Sequence, residues 1–337
     1  MVDDHSWIGT AVDNSLVLAI LYIGFEKCLF DRIDVQRPIS SGEVAGALNL
    51  DEEYVARWCL AAFAFGILEG EDEKYMLSPK VAELLKNRSL FSSLIHIGYG
   101  FSSTGALFAE FMEKSQRPGF TSLSRNSPLF GDVMRGAYNE GYDREILMNE
   151  VLSRIEPYAL LGGRNKSLLD LGSGNGWFSV ALAERFKELI GVGIDLVDVS
   201  IEEARALAAE RGVDKRIIFK KGEISKCDFG AGFDLITMNQ SFRFFWDSKE
   251  EILGRCYGSL KKNGYVAIWE HNLPEEREKL REPGFALSAY GNFINLAAGA
   301  RLLNGREIEG ALRSAGFKVE TYYVHQGLEV IVLGNKK

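Results

Sequence analysis

Positive charge is in short supply in this chain. Lysine and arginine number 39 against 47 aspartates and glutamates, a net charge of −8, which speaks against unaided binding to a nucleic-acid backbone. Cysteine is scarce too: Cys28, Cys59, Cys227 and Cys256 have no C-x-x-C spacing, so neither a zinc cluster nor a disulfide framework is expected. Reduced thiols in the cytoplasm fit such a scatter. Long apolar runs are missing as well. The greasiest stretch, Leu16 to Ile23, is bracketed by Asp13, Asn14, Glu26 and Lys27, whereas spanning a bilayer takes about 20 apolar residues, so no membrane partner is expected. Asp3 and Asp4 stand where a secretory signal would be basic. Of the histidines, His5, His96 and His325 belong to no metal-ligand spacing, and no metal is expected. There is no internal repeat or low-complexity tract. What the chain has is 337 residues, 46% of them hydrophobic, enough for a large core and two domains.

The most informative stretch is Ser167 to Phe178, where Leu168, Leu169 and Leu171 suit a strand buried on both faces. Gly172, Gly174 and Gly176 then turn the chain into a helix carrying Phe178, Ala181, Leu182 and Phe186 at helical spacing. Glycines allow a ligand to lie directly against such a turn. The dinucleotide pattern G-x-G-x-x-G fails, because Trp177 fills the position of its last glycine. A Walker loop fails for want of Gly-Lys-Ser/Thr. The pattern is Asp-x-Gly-x-Gly-x-Gly, with Asp170 on the strand tip suited to a ligand bearing an ammonium group.

On these residues the sequence resembles the class I S-adenosylmethionine-dependent methyltransferases, whose first motif is an acid followed by G-x-G-x-G. Later elements recur in that family's order: Gly191 to Asp195, Ile217 to Ile224, Phe233 to Asn239, and Leu260 to Val266 leading into a fifth strand. The resemblance implies S-adenosyl-L-methionine as cofactor, held by Asp170, Gly172, Gly174, Gly176, Asp195, Leu196, Gly222, Glu223, Ile224 and Asn239. Asp195, nineteen positions after Gly176, takes the place of the carboxylate that accepts two ribose hydroxyls. Glu223 and Ile224 take the place of the acidic-apolar pair that flanks the adenine. The implied fold is α/β: a Rossmann-like seven-stranded sheet with an N-terminal, mainly helical, winged-helix-like domain. Phe317 to Val324 and Leu328 to Leu333 should form its closing antiparallel hairpin, with His325 in the turn.

The N-terminal third reads as helix, turn, helix and short hairpin. Ser40-Ser41-Gly42-Glu43 is a capping box, with Val44, Ala47 and Leu48 following on one face. Asp51 starts a helix with Val55, Trp58, Cys59, Ala62 and Phe63 along one side, and Glu69 to Lys74 is a polar hairpin. Its charges, Asp51, Glu52, Glu53, Glu69, Glu71, Asp72 and Glu73, would repel phosphates. A winged helix ahead of this core resembles the small-molecule O-methyltransferases, in which it serves dimerisation and covers the substrate. Two domains are expected, 1–130 and 131–337. An apolar helix starting near Asp13 or Asn14 packs either on a second copy, giving a homodimer, or inside the domain. His96, Tyr99, Phe101, Phe108, Phe111 and Phe120 are either an aromatic roof over the substrate or ordinary core. Further capping boxes are expected at Ser200 and Ser248, and one helix over Asp143 to Leu161.

The activity so implied is methyl transfer to an O, N or C nucleophile of a small ring-bearing metabolite. Plant-type relatives carry His-Asp-Trp after the fourth strand, but aligning on Trp246-Asp247 puts Phe244 where their base would be. Three readings stay open: an acceptor that needs only positioning, Arg243 lowering a hydroxyl pKa or holding a carboxylate, or a base moved to His271. A relative diverted to hydroxylation or decarboxylation, and a winged-helix regulator sensing the cofactor, are the alternatives.

Overall fold

The computed structural model describes residues 4–103, 105–113, 117, 119, 142–282 and 284–337. They fall into two compact units, one reaching to Leu107 and the other including Asp143–Lys337; the boundary expected at 130 and 131 lies outside the described residues.

The first unit begins with α1 (Asp4–Glu26), followed by β1 (Ile39–Ser40), α2 (Ser41–Leu48), α3 (Glu52–Ala64), β2 (Leu68–Glu71) and β3 (Lys74–Leu77). The strands form a small antiparallel sheet in the order β1-β3-β2, which with α2 and α3 makes a winged helix. The capping box forms as expected, Ser40 Oγ accepting from the Glu43 amide and Glu43 accepting from the Ser40 amide. Asp51 caps α3 through the Tyr54 amide. Ile20, Leu21, Phe25, Trp58, Cys59, Ala62, Leu68 and Leu77 are core, whereas Ala47 and Phe63 are exposed. α1 starts well before Asp13, contrary to expectation. Among the described residues it is the helix long and apolar enough to cross a membrane, by length and composition alone, with mean hydropathy 1.6 over Trp7–Glu26. His96 and Tyr99 pack on Tyr22 of α1, where both rings are half-buried.

The second unit holds the seven-stranded sheet: β4 (Ser167–Leu171), β5 (Ile190–Asp195), β6 (Ile217–Lys221), β7 (Phe233–Asn239), β8 (Leu260–His271), β9 (Lys318–Val324) and β10 (Glu329–Asn335), in the order β6-β5-β4-β7-β8-β10-β9. The first five run parallel, and β10 pairs antiparallel with β8 and β9. The order reverses between β4 and β7, and at such a switch point ligands bind beyond the strands' carboxyl ends.

Three local expectations need correction. The helix after β5 (Asp198–Glu210) starts before Ser200, because Asp195 accepts the Val197 amide at 2.9 Å and fixes the turn there. Ser248 ends a 3-10 segment (Phe242–Ser248) and makes no side-chain cap. The helix expected over Asp143 to Leu161 is broken once: helical turns run from Tyr142 to Arg154 through a π segment (Leu147–Val151), and after extended Ile155 a short helix restarts at Glu156, Pro157 having no N–H for the carbonyl four residues back.

Candidate active site

The glycine loop after β4 adopts the shape its residues require. Gly172, Gly174 and Gly176 have φ of +76°, +51° and +78°, the left-handed region that L side chains resist. Two of the three are also tightly enclosed. A Cβ on Gly172 would lie 2.5 Å from Ser241 Cβ, and one on Gly176 would lie 2.6 Å from the Phe219 ring. Among the described residues nothing within 4 Å faces Gly174. The middle glycine therefore opens onto the space where a ligand would rest.

Asp195 closes the far side. Its Oδ2 accepts the Gly174 amide at 2.9 Å and its Oδ1 the Val197 amide, binding strand, loop and helix together. Burial raises its pKa, and these backbone bonds oppose the rise. Each carboxylate oxygen takes two donors, so capacity remains for a diol. Leu196 beside it is 49% exposed.

Asp170 was expected to face a ligand ammonium, and its Oδ1 is buried without a hydrogen-bond partner. It is buried beneath the loop, its Oδ2 accepting from Ser179 Oγ at 2.6 Å, because the strand's alternation turns it toward the following helix. Burial pushes its pKa up to about 7, with the Ser179 bond opposing. Of the expected adenine pair, Glu223 is on the surface and bonded to Ser225 and Lys226, while Ile224 is buried in the core. Gly222 donates to the Asp195 carbonyl at 2.9 Å.

These residues fit S-adenosylmethionine. Ser173 Oγ and Asn239 Oδ1 are buried without a hydrogen-bond partner at the ends of β4 and β7, where the ligand's polar groups would meet them. Ser173 was not singled out from sequence, although its place between two loop glycines was a signal.

Beyond β7 and β8, Gln240 takes φ +55°, and its Oε1 accepts from Arg243 Nη1 at 3.2 Å and from the His271 amide at 3.2 Å. Arg243 was expected to meet substrate, and its guanidinium contacts three groups of the protein. Arg243 and Glu270 have no exposed side-chain surface and lie 2.5 Å apart (Nη1 to Oε2), and Arg243 Nε donates to Asn295 Oδ1 at 3.0 Å. The guanidinium thus serves the fold's own carboxylate. His271 is different. Its side chain is 34% exposed at the carboxyl end of β8, with Nδ1 3.6 Å from the buried Glu329. Desolvation and then the Arg243 charge lower its pKa to about 3. Its partial exposure and the Glu329 carboxylate work against so deep a shift, and the imidazole is neutral near pH 7.

Comparison with known proteins agrees with this geometry. The family described as "Methyltransferase domain" matches residues 168–264, and "Rv2258c-like winged HTH domain" matches residues 15–87. The L-tyrosine C(3)-methyltransferase of Streptomyces lavendulae is 25% identical over 319 residues, covering 88% of this chain and 82% of that protein. An O-methyltransferase family protein from Burkholderia thailandensis superposes with a TM-score of 0.72 at 18% identity, over 100% of this chain and 99% of that one. Human N-acetylserotonin methyltransferase, solved with S-adenosylmethionine, gives 0.71 at 14% identity, over 100% and 98%. The chain is a class I S-adenosylmethionine-dependent methyltransferase with an N-terminal winged-helix domain.

Proposed function

We propose that the acceptor is a small metabolite carrying a ring, and that the methyl goes to an oxygen, nitrogen or carbon nucleophile on it, largely through proximity and orientation. When bound, S-adenosylmethionine supplies an electrophilic sulfonium methyl. The observation that carries the reading is the open face of Gly174 beside Asp195 and Asn239, with His271 two strands away at the same sheet edge. Neighbouring strands lie about 4.8 Å apart, so an acceptor over β7 and β8 is within reach of both. The tyrosine ring methylated by the Streptomyces relative supports an aromatic acceptor. Asp195 holds the ribose, Leu196 lines the nucleoside, and Ser173 and Asn239 meet the methionine part. Asp170 acts through Ser179 on the loop, Arg243 supports the acceptor side through Glu270 and Asn295, and His271 touches the acceptor as base.

Two measurements test this. Incubation with S-adenosylmethionine and a set of phenols, aromatic amino acids and ring amines should release S-adenosylhomocysteine with at least one acceptor, and silence across all three classes argues against a ring-bearing substrate. Calorimetry should show Asp195→Ala weakening cofactor binding by about 1–3 kcal/mol. An unchanged Kd removes the ribose assignment.

We also propose a homodimer formed through α1. Ile20, Leu21 and Phe25 face the unit's core, yet Trp7, Ile8, Val12, Leu16 and Ile23 are 44–67% exposed on the same helix. A contiguous apolar face of this kind marks an interface, and a second copy of α1 covers it with like residues. The acidic wing and Arg57, paired with Glu53, do not suit DNA. Four free thiols accord with a reducing cytoplasm. Light scattering should find a dimer that the double variant Val12→Glu, Leu16→Glu converts to monomer; a monomeric parent that sediments with lipid vesicles would instead make the face a membrane contact.

A further inference from the structure

Glu329 is a carboxylate in an expensive place. It opens β10, where Val330, Ile331, Val332 and Leu333 are all buried, and it is itself 1% exposed. An apolar side chain would be cheaper here, since burying a charge is costly unless paired. Antiparallel pairing sets Glu329 directly opposite His271 and puts Trp269 on the same face one alternation away. Trp269 is 1% exposed, and its indole N–H donates to Glu329 Oε2 at 2.6 Å. The other oxygen, Oε1, faces His271 Nδ1 at 3.6 Å, a separation that closes to a hydrogen bond with a small rotation of the exposed ring.

We infer that Glu329 is a positioning residue that holds His271 as the tautomer with its proton on Nδ1, leaving Nε2 as the basic nitrogen toward an acceptor bearing an acidic O–H. This deepens the proposed function and rests on His271 being the base. In that step the acceptor proton passes to Nε2 as the oxygen lone pair forms the O–CH3 bond. The pair of the broken C–S bond returns to sulfur, and the imidazolium beside Glu329 later gives its proton to solvent. The tautomer follows from the carboxylate that Nδ1 faces. Trp269 keeps that neighbour from turning away. The base would thus have moved from the position now held by Phe244 to β8, and its supporting acid comes from β10.

The test needs no acceptor. The chain has four histidines, so nitrogen NMR of the full-length protein labelled at histidine resolves each ring, with His271→Gln supplying the assignment. The Nδ1–H form of His271 is expected in the unaltered enzyme, and Glu329→Gln should lower the ratio of Nδ1–H to Nε2–H by about tenfold or more. A predominant Nε2–H form in the unaltered enzyme overturns the inference, and so does a ratio unmoved by Glu329→Gln. Should Glu329→Gln fail to fold, Trp269→Phe, which frees the carboxylate, is read the same way. Failure of the base assignment itself looks different: His271→Gln then keeps full methyl transfer whatever the tautomer.

Discussion

Arg243→Ala is expected to destabilise the catalytic unit by about 3–5 kcal/mol, the usual result of stranding one member of a buried ion pair. Glu270 would keep its charge at 0% side-chain exposure with its 2.5 Å partner gone. Gln240 Oε1 and Asn295 Oδ1 would each lose a donor as well. Arg243→Lys should recover only part of this, because a single ammonium cannot reach Glu270, Gln240 and Asn295 from a rigid fork. Replacing both charges, Arg243→Met with Glu270→Met, should cost less than either single change, since no bare charge is left inside. Urea unfolding followed by tryptophan fluorescence measures each of them. A loss under about 1 kcal/mol for Arg243→Ala would mean that water reaches the pair, as it does for surface ion pairs.

This pair also shows where reading the chain runs out. Arg243 and Glu270 are 27 positions apart, and nothing local announces that a loop arginine is buried. Glu329 is harder still, meeting Trp269 from 60 positions away; its one trace in the sequence is a lone acid heading an apolar strand. Local chemistry fared better. The box at Ser40–Glu43 forms as read, because its partners are three residues apart. The same pattern misled at Ser200, where Asp195 had already fixed the helix start. The onset of α1 could not be read because apolar residues occupy both its buried and exposed faces, leaving no period to mark an end. The glycine loop was legible for a stricter reason: three left-handed backbone angles at alternate positions admit few other residues.

That loop yields the second large effect, and it separates two glycines that look alike in the sequence. Gly176→Ala forces a Cβ-bearing residue to φ +78°, about 1–2 kcal/mol of backbone strain. The new methyl also lands 2.6 Å from the Phe219 ring and 2.8 Å from Ala204 Cβ, both buried and held by their neighbours, adding about 1–3 kcal/mol of overpacking. The total, about 2–5 kcal/mol, should appear as lost stability with or without cofactor. Gly174→Ala carries only the angular strain, at φ +51°, because among the described residues no atom lies within 4 Å of its Cβ. Its methyl occupies the space assigned to the sulfonium nucleoside. Unfolding should therefore register only about 1–2 kcal/mol for Gly174→Ala, while calorimetry finds cofactor affinity down by about tenfold or more at position 174, a loss of about 1.4 kcal/mol. If Gly174→Ala binds S-adenosylmethionine like the parent, the ligand does not lie on this loop and the cofactor site must be sought elsewhere on the sheet edge.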